Sequence, residues 1–339
     1  MPAFGNRVLT TTQDEIMPRV VDTILNSNVF ATRMLGKARK WLGETLRFPV
    51  KTAKNTTGTS FSGIDTFSTS ATNNRQRLSY TPSFYQITVA LPLDELSVNQ
   101  SDSKVIDLAS IETTGAAQDM ADDIGTLFYA DGTGNSSKDF LGLAAIVDNG
   151  DTIATIGGLS RSTFTTLQST VTASGGTVSL AKLSTLYTAV TSGTQKPTLG
   201  VTTEAVWDLI EQLISPQERI IKDEPSIRRG IVGGSGLTAL FHRGVPIVAD
   251  EKVTANTFFW LNEDFLHWFA MPVALTEPIK FKASIAGNDY SNVMGLGFSW
   301  SNWIKPSNSA SVVGHIYLGG NLVTDNPKRH GKLTGITSI

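Results

Sequence analysis

The stretch KTAKNTTGTSFSGIDTFSTSATNNRQR, residues 51–77, is a long polar segment between two stretches that have the pattern of β-strands. From residue 51 to residue 74, eleven of the 24 residues are Ser or Thr, and only Asp65 is acidic. Such a segment cannot bury enough apolar area to fold by itself. A loop of this length inside one domain is usually functional or disordered, so this stretch is the first candidate for a functional element.

The flanking segments alternate apolar and polar residues, as half-buried strands do. The alternating positions are Leu46, Phe48 and Val50 before the stretch, and Tyr85, Ile87, Val89 and Leu91 after it. Two such strands predict a long two-stranded finger with the polar segment at its tip. The polar segment ends with Arg75 and Arg77.

The longest predicted helix follows the finger. In SDSKVIDLASIETTGAAQDMADDIGTLFYADGTG, residues 101–134, apolar residues recur at intervals of three, four and seven. Ser101, Asp102 and Ser103 are candidate N-caps, and Gly132 stands where a left-handed cap belongs. We expect a helix of about 25 to 28 residues, which a rise of about 1.5 Å per residue makes about 40 Å long.

The rest of the chain mixes helices and strands without regular βαβ alternation, which predicts the α+β class. SLAKLSTLYTAV and VTTEAVWDLIEQLI have helical spacing, whereas FLGLAAIVDNGDTIATIGG, HRGVPIVADEKV, NTFFWLN and HWFAMPVAL read as strands and turns. Near the start, Val20, Val21, Ile24 and Leu25 have helical spacing after Pro18. That segment is either an amphipathic helix on the core or an arm that packs on a neighbouring subunit.

The composition of the 339 residues restricts the function classes. A formal net charge of −2 argues against tight sequence-specific DNA binding and leaves weak contact with nucleic acid open. The absence of cysteine excludes disulfides, thiolate metal sites and cysteine nucleophiles. We expect no secretory signal and no membrane span, since polar residues interrupt the most apolar window, FFWLNEDFLHWFAMPVAL.

The common catalytic and metal-binding motifs fail in this sequence. Both Gly-Lys pairs lack the Ser or Thr of a P-loop, and GGSGL lacks the final Gly of a hydrolase elbow. DGTGNSSKD departs from a calcium loop at its sixth and twelfth positions, and no histidine pair has zinc-helix spacing. We therefore expect no cofactor, no metal and no enzymatic activity. A site at His267, with Glu263 and Asp264 nearby, remains the enzyme alternative.

The order of elements resembles that of the major capsid proteins of tailed phages, the Hong Kong 97-like fold. Short strings carry the resemblance: the Gly-Thr-Gly turn and Gly142-Leu143 after the helix, the helix entry at Thr202-Thr203, and Gly244-Val245-Pro246-Ile247. The resemblance implies an N-terminal arm at 1–44, an extended loop (a β-hairpin) at 45–93, a peripheral domain at 94–141 with a spine helix at 102–131, an axial domain at 142–290, and C-terminal strands that return to the peripheral domain at 291–339.

In that family the extended loop lies over the next subunit of the same hexamer or pentamer. The resemblance implies a structural protein whose hexamers and pentamers form an icosahedral shell around the phage genome, assembled in the host cytoplasm and found in the virion. Its implied partners are copies of itself, portal and scaffolding or decoration proteins, and packaged double-stranded DNA held by weak non-specific contact, with no membrane. The expected assembly contacts are Lys51, Lys54, Arg75, Arg77, Arg228 and Arg229.

Three alternatives stay open from the sequence. An encapsulin-type compartment shares the fold but encloses a protein cargo. A soluble α+β enzyme would use the site near His267. A phage tail or adhesin component would fit the β content but not the long helix.

Overall fold

The structure of the protein, a computed structural model, describes residues 28–99, 108–218, 240–271, 277–278, 284–285, 288–289, 298–301 and 303–338. The helix expected around Val20 and Leu25, the first residues of the long helix, and the cluster at Arg228 and Arg229 lie outside these residues.

The helices of the described residues are α1 (Val29–Gly36), α2 (Leu93–Val98), α3 (Leu108–Leu127), α4 (Leu143–Ile146), α5 (Leu180–Val190) and α6 (Glu204–Glu218). Short 3₁₀ turns occur at Thr165–Leu167, Glu263–Phe265 and Pro327–Arg329. The turn Gly134–Ser137 is not counted as a helix, because Asn135 and Ser136 inside it have left-handed backbone angles.

The strands are β1 (Arg39–Lys40), β2 (Leu46–Lys51), β3 (Arg75–Tyr80), β4 (Ser83–Pro92), β5 (Thr155–Ile156), β6 (Leu159–Ser160), β7 (Thr170–Thr172), β8 (Gly176–Thr177), β9 (Leu199–Thr202), β10 (Leu240–His242), β11 (Val245–Ala249), β12 (Phe258–Leu261), β13 (Leu266–Ala270), β14 (Glu277–Pro278), β15 (Ser284–Ile285), β16 (Asn288–Asp289), β17 (Phe298–Trp300), β18 (Ser311–Thr324), β19 (Gly331–Leu333) and β20 (Ile336–Ser338).

One sheet is built around β18, a strand of 14 residues. β18 pairs antiparallel with β13, β17 and β4, and β1 and β14 lie at the ends of the sheet. The pairing with β4 joins residues 311–320 to residues 83–92. Because β4 lies early in the chain and β18 near its end, this sheet ties the two parts of the chain together.

The finger itself is formed by β2 and β3, which pair from Leu46 with Tyr80 to Lys51 with Arg75. From the sequence we expected the strand around Tyr85 to be the second strand of the finger, and that pairing is wrong. The strand around Tyr85 is β4, which pairs along its length with β18 instead. The segment 45–93 therefore contains a hairpin and, after it, a strand of the body.

A second sheet has the strand order β10-β11-β9-β12-β19-β7 and separates two cores. Alternate residues of β12 point to opposite faces, as the pleat requires. Phe258 and Trp260 pack in the core with α5 and α6, whereas Phe259 and Leu261 pack in the main core with α3 and the first sheet. The main core thus lies between the two sheets and holds the base of the finger.

Helices α5 and α6 confirm the sequence-based predictions. The Ser179 side chain caps α5 by accepting a hydrogen bond from the backbone N–H of Lys182. The buried face of α5 consists of Leu183, Leu186, Tyr187 and Val190. This spacing of three and four is that of an amphipathic helix on a core.

Helix α3 has 20 described residues and ends at Leu127, earlier than the sequence predicted. After the helix the chain turns back on itself. The Leu143 N–H then donates a hydrogen bond to the Phe128 carbonyl oxygen at 2.7 Å. Gly132 lies in the following turn with φ +77°, the left-handed conformation expected of it. The segment after this turn, expected to be strands and turns, begins with the short helix α4.

Candidate assembly surface

The base of the finger is buried in the body of the molecule. Leu78 and Tyr80 on β3 are 0% and 2% exposed. The Tyr80 hydroxyl donates a hydrogen bond to the Thr324 carbonyl oxygen at 2.8 Å, and the Ser79 N–H donates to the Gly157 carbonyl oxygen at 2.9 Å. Burial raises the pKa of Tyr80, so the phenol stays protonated and remains a donor.

Aromatic rings hold the other strand of the finger against the first sheet. The Phe48 ring centroid lies 6.2 Å from that of Tyr80 and 6.0 Å from that of Phe269. Trp41 meets Phe269 edge-on, with their centroids 6.3 Å apart. Such contacts add to the free energy gained from burial. The body of the molecule therefore sets the direction in which the finger projects.

The tip of the finger, residues 53–73, is exposed except at Thr57, which is half-buried. The last backbone hydrogen bonds that join its two sides run from the N–H groups of Thr52 and Ala53 to the Asn74 carbonyl oxygen. Within the tip, short local bonds dominate, such as Thr57 N–H to Asn55 Oδ1 at 3.0 Å and Ser62 N–H to Asp65 Oδ2 at 2.8 Å. The tip thus makes small turns on itself and has no core.

Three large apolar side chains stand exposed on this polar tip. Phe61, Ile64 and Phe67 are 66%, 100% and 61% exposed, and the two phenylalanine rings meet edge-on with centroids 5.2 Å apart. The sequence-based description of this stretch as rich in Ser and Thr did not identify these three residues as candidate contacts. Their spacing of three inside a polar segment was the available signal, since exposed apolar groups that cluster on one projection mark interaction sites.

Four cations share one face of the finger, called here the basic face: Arg47 and Lys51 on β2, and Arg75 and Arg77 on β3. Lys51 lies directly opposite Arg75 in the strand register. The ion pairs among the described residues involve other cations, so no described carboxylate neutralises this face.

The structure brings together most of the sequence-predicted contact residues. Lys51, Arg75 and Arg77 lie on the basic face, with Lys54 close behind on the exposed tip. Arg47 belongs to the same face and was missed by the sequence-based prediction. Arg228 and Arg229 lie outside the described residues.

Two buried acids join helix α1 to the body. Asp250 accepts hydrogen bonds from the Phe30 N–H at 3.0 Å and the Tyr129 hydroxyl at 2.9 Å. Burial raises the pKa of Asp250 despite these donors. At the other end of α1, Arg33 and Lys37 form ion pairs with Glu263. The first described helix is therefore held at both ends.

The rival catalytic site around His267 is not set up for proton transfer near neutral pH. Burial would raise the pKa of Glu263, but hydrogen bonding and charge from Arg33 and Lys37 outweigh it, and the pKa is lowered. His267 packs edge-on against Phe269, and burial lowers its pKa to about 4. A carboxylate held in ion pairs and an imidazole of such low basicity do not make a general acid and base.

A second histidine, His330, is fully buried and structural. Its Nδ1 accepts a hydrogen bond from the Asn262 N–H at 3.3 Å, and its Nε2 lies 3.3 Å from Thr324 Oγ1. Burial lowers the pKa of His330 to about 3, so the ring is neutral. It links the end of β12 to the end of β18.

Within the part of the chain that the structure describes, no group of His, Asp and Glu is arranged to hold a metal ion. No helix in the same residues has the length and apolar character that crossing a membrane requires.

Comparison with solved structures finds chains of similar fold over nearly the full length of this chain. The capsid of cyanophage A-1(L) superposes with a TM-score of 0.68 at 14% identity, covering 96% of each chain. The capsid of the Myoviridae phage XM1 gives 0.56 at 14% identity, covering 98% of this chain and 99% of that one. The SrpI encapsulin of Synechococcus elongatus gives 0.54 at 12% identity, covering 88% and 84%.

No protein-family model matches the sequence, and no curated protein matches it either. The likeness is therefore one of structure, shown by the TM-scores and by the length of chain covered. The chain has the α+β, Hong Kong 97-like fold of the tailed-phage major capsid proteins.

Proposed function

We propose that this chain is the major capsid protein of a tailed phage. Its copies assemble as hexamers and pentamers, which close into an icosahedral shell around a double-stranded DNA genome. The particle would be assembled in the host cytoplasm, and the protein would be found in the virion. The observation that carries the proposal is the agreement with the cyanophage capsid chain over 96% of both chains.

The subdivision of the chain follows from the same proposal. The arm occupies residues 1–44, the extended loop 45–93, the peripheral domain with the spine helix 94–141, the axial domain 142–290 and the returning C-terminal strands 291–339. The finger of β2 and β3 is the projecting part of the extended loop, and α3 is the spine.

The finger acts as an intermolecular contact in this proposal. Its base is rigidly buried through Leu78 and Tyr80, while its tip exposes Phe61, Ile64 and Phe67. A rigid projection with an apolar tip and no core of its own gains order from a surface that another molecule provides. Lys51, Lys54, Arg75 and Arg77 would contribute ionic contacts beside it, and Arg228 and Arg229 would contact a further subunit.

Many modest contacts repeated by symmetry give a shell that is stable yet correctable during assembly. The near-neutral net charge of −2 suits a shell that holds DNA by weak non-specific contact. Portal and scaffolding or decoration proteins are further partners that the proposal implies.

The second candidate function is an encapsulin-type compartment, favoured by the match to the SrpI encapsulin at a TM-score of 0.54. The lower score and coverage place it behind the capsid function. The contents of particles purified from the native source separate the two, since a capsid holds DNA and a compartment holds a protein cargo.

Electron microscopy of the purified full-length chain tests the proposal. We expect hexameric and pentameric capsomers and closed shells. Protein that stays monomeric over a wide range of concentrations, with and without phage partner proteins, would contradict the function.

A further inference from the structure

The basic face of the finger is electrostatically incomplete in a single chain. Like charges directly opposite each other, as Lys51 and Arg75 are, destabilise a strand pair. The segment 45–80 carries five cations against the single acid Asp65, although the whole chain has a net charge of −2. The rest of the chain therefore carries a net negative charge.

Helix α3 carries part of that negative charge without any cation of its own. Its residues Leu108–Leu127 include four acids and no Lys or Arg: Glu112, Asp119, Asp122 and Asp123. Asp119 and Asp123 are exposed, and with Glu112 they recur at seven and four residues, which places them along one side of the helix. These three residues are called here the acidic ridge.

Two neighbouring contacts show how the ridge is held. The Tyr85 hydroxyl donates to Asp123 Oδ2 at 2.7 Å, which leaves the other carboxylate oxygen of Asp123 available. Asp122, beside the ridge, pairs with Lys252 at 2.8 Å. Asp123 is thus positioned by the body of the molecule, and Asp119 and Asp123 are both exposed.

The spacing of charges on the two surfaces matches. Arg75 and Arg77 are two residues apart on a strand, about 7 Å at the usual rise. Asp119 and Asp123 are four residues apart on a helix, about 6 Å. Two parallel ion pairs can therefore form at once if the finger lies along the helix.

We propose that the basic face of the finger docks on the acidic ridge of helix α3 in a second copy of this chain. The inference rests on the proposed capsid function and names the surface that receives the finger. The complementary charges of the two segments support it. Ion pairs in this contact would set the register between subunits, as charges at interfaces do.

A second copy fits this face better than the packaged duplex does. The basic face continues into a tip that exposes Phe61, Ile64 and Phe67, so the partner must offer an apolar surface beside its negative charge. A DNA duplex presents phosphates on the outside and keeps its apolar surface in the base stack. A protein surface can present both.

Charge reversal tests the pairing in the full chain. The finger variant carries Arg75→Glu and Arg77→Glu, and the helix variant carries Asp119→Lys and Asp123→Lys. Each should lower the yield of closed particles at least tenfold, measured by sedimentation and electron microscopy. Combining all four changes restores opposite charges and should bring the yield to within about threefold of wild type.

If the helix double variant folds poorly, Asp119→Lys alone replaces it, because this variant keeps the hydrogen bond from Tyr85 to Asp123. Asp119→Lys should lower the yield of closed particles, and adding Arg75→Glu should restore part of that yield.

The matched control separates pairing from net charge. Lys305→Glu and Lys328→Glu change exposed cations on other elements by the same total charge as the finger variant. Combined with the helix variant, they restore the wild-type net charge but not the pairing, so we expect no recovery of particles. Recovery in this control, or no recovery in the four-site variant, would overturn the pairing.

Failure of the proposed capsid function would give a different result from failure of the pairing between finger and ridge. Wild-type chains that never form particles would contradict the proposed function itself. Finger variants that assemble normally but retain less DNA would assign the basic face to the nucleic acid and overturn the pairing.

Discussion

At the scale of single residues, Gly157 packs closely against Leu78 at the base of the finger. It adopts φ +53°, and an added Cβ would lie 2.8 Å from Leu78 Cδ2. Its neighbour Gly158 has φ +80° with open space around the same position. Both residues need the left-handed backbone, but only Gly157 also needs the missing side chain.

The two glycines give a matched pair of variants. Gly158→Ala should cost about 1–2 kcal/mol, since only the left-handed backbone is strained. Gly157→Ala should cost at least about 1 kcal/mol more, since its methyl group also crowds Leu78. Urea denaturation of unassembled protein measures both. Equal losses would mean that the contact with Leu78 contributes nothing.

His330 makes the stability depend on pH, and this dependence begins at higher pH than the titration of ordinary carboxylates. Its pKa is about 3 in the folded chain against an ordinary value of 6.5, so the unfolded chain takes up the proton first. The contribution to stability is complete above pH 6.5 and is lost as the pH falls toward 3. One proton gives a slope of up to about 1.4 kcal/mol per pH unit.

The urea midpoint of unassembled protein, followed from about pH 7 to about pH 5, measures this slope. His330→Gln should be less stable at neutral pH but should show a shallower loss on acidification. His267, whose pKa falls to about 4, keeps part of the slope in that variant. If His330→Gln showed the same dependence of stability on pH as the wild type, His330 would not be the cause of that dependence.

At the scale of elements, periodicity identified strands and helices but not their partners. The alternation of Tyr85, Ile87, Val89 and Leu91 correctly indicated a strand. Its partner lies near the end of the chain, and no local pattern encodes that pairing. The true finger strand, RQRLSY, has only two apolar residues, Leu78 and Tyr80, and so gave a weaker signal.

Of the candidate assembly surface, the sequence named several residues but did not show which face of the finger they share. The cations Lys51, Arg75 and Arg77 could be named from sequence, because charged residues beside a polar loop are visible there. Their common face depends on the register of β2 and β3, which only the structure shows. The end of α3 at Leu127 was also missed, since the close return of the chain at Gly142 is a tertiary contact.

The apolar tip gives the prediction at this scale. Replacing both Phe61 and Phe67 with Ser should leave the unfolding temperature of the unassembled protein nearly unchanged, because both rings are exposed. Burying a Phe side chain in an interface contributes about 1.5–3 kcal/mol. The concentration needed for assembly should therefore rise at least about tenfold.

Light scattering over a concentration series measures the assembly threshold. The control carries Ser60→Ala and Ser68→Ala, exposed tip positions next to the same rings, and should assemble as wild type does. Normal assembly of the Phe61 and Phe67 variant would show that the tip contacts no partner.

At the scale of the whole molecule, the body and the tip of the finger differ in what they contribute to the core. Two sheets and helix α3 form the main core, which also holds Leu78 and Tyr80 at the finger base. Residues 53–73, the tip between Thr52 and Asn74, contribute no side chain to that core. The body should therefore fold without the tip, while assembly should require it.

The most direct test of this division between body and tip is to measure folding and assembly of a variant without the tip. Deleting residues 54–74 and changing Thr52→Asn and Ala53→Gly leaves a two-residue Asn-Gly turn between Lys51 and Arg75, which suits the paired strands. Circular dichroism and sedimentation velocity then report folding and assembly together. We expect a folded protein with wild-type unfolding behaviour that forms no closed shells. Closed shells at wild-type yield from this variant would contradict the claim that the finger joins one subunit to the next.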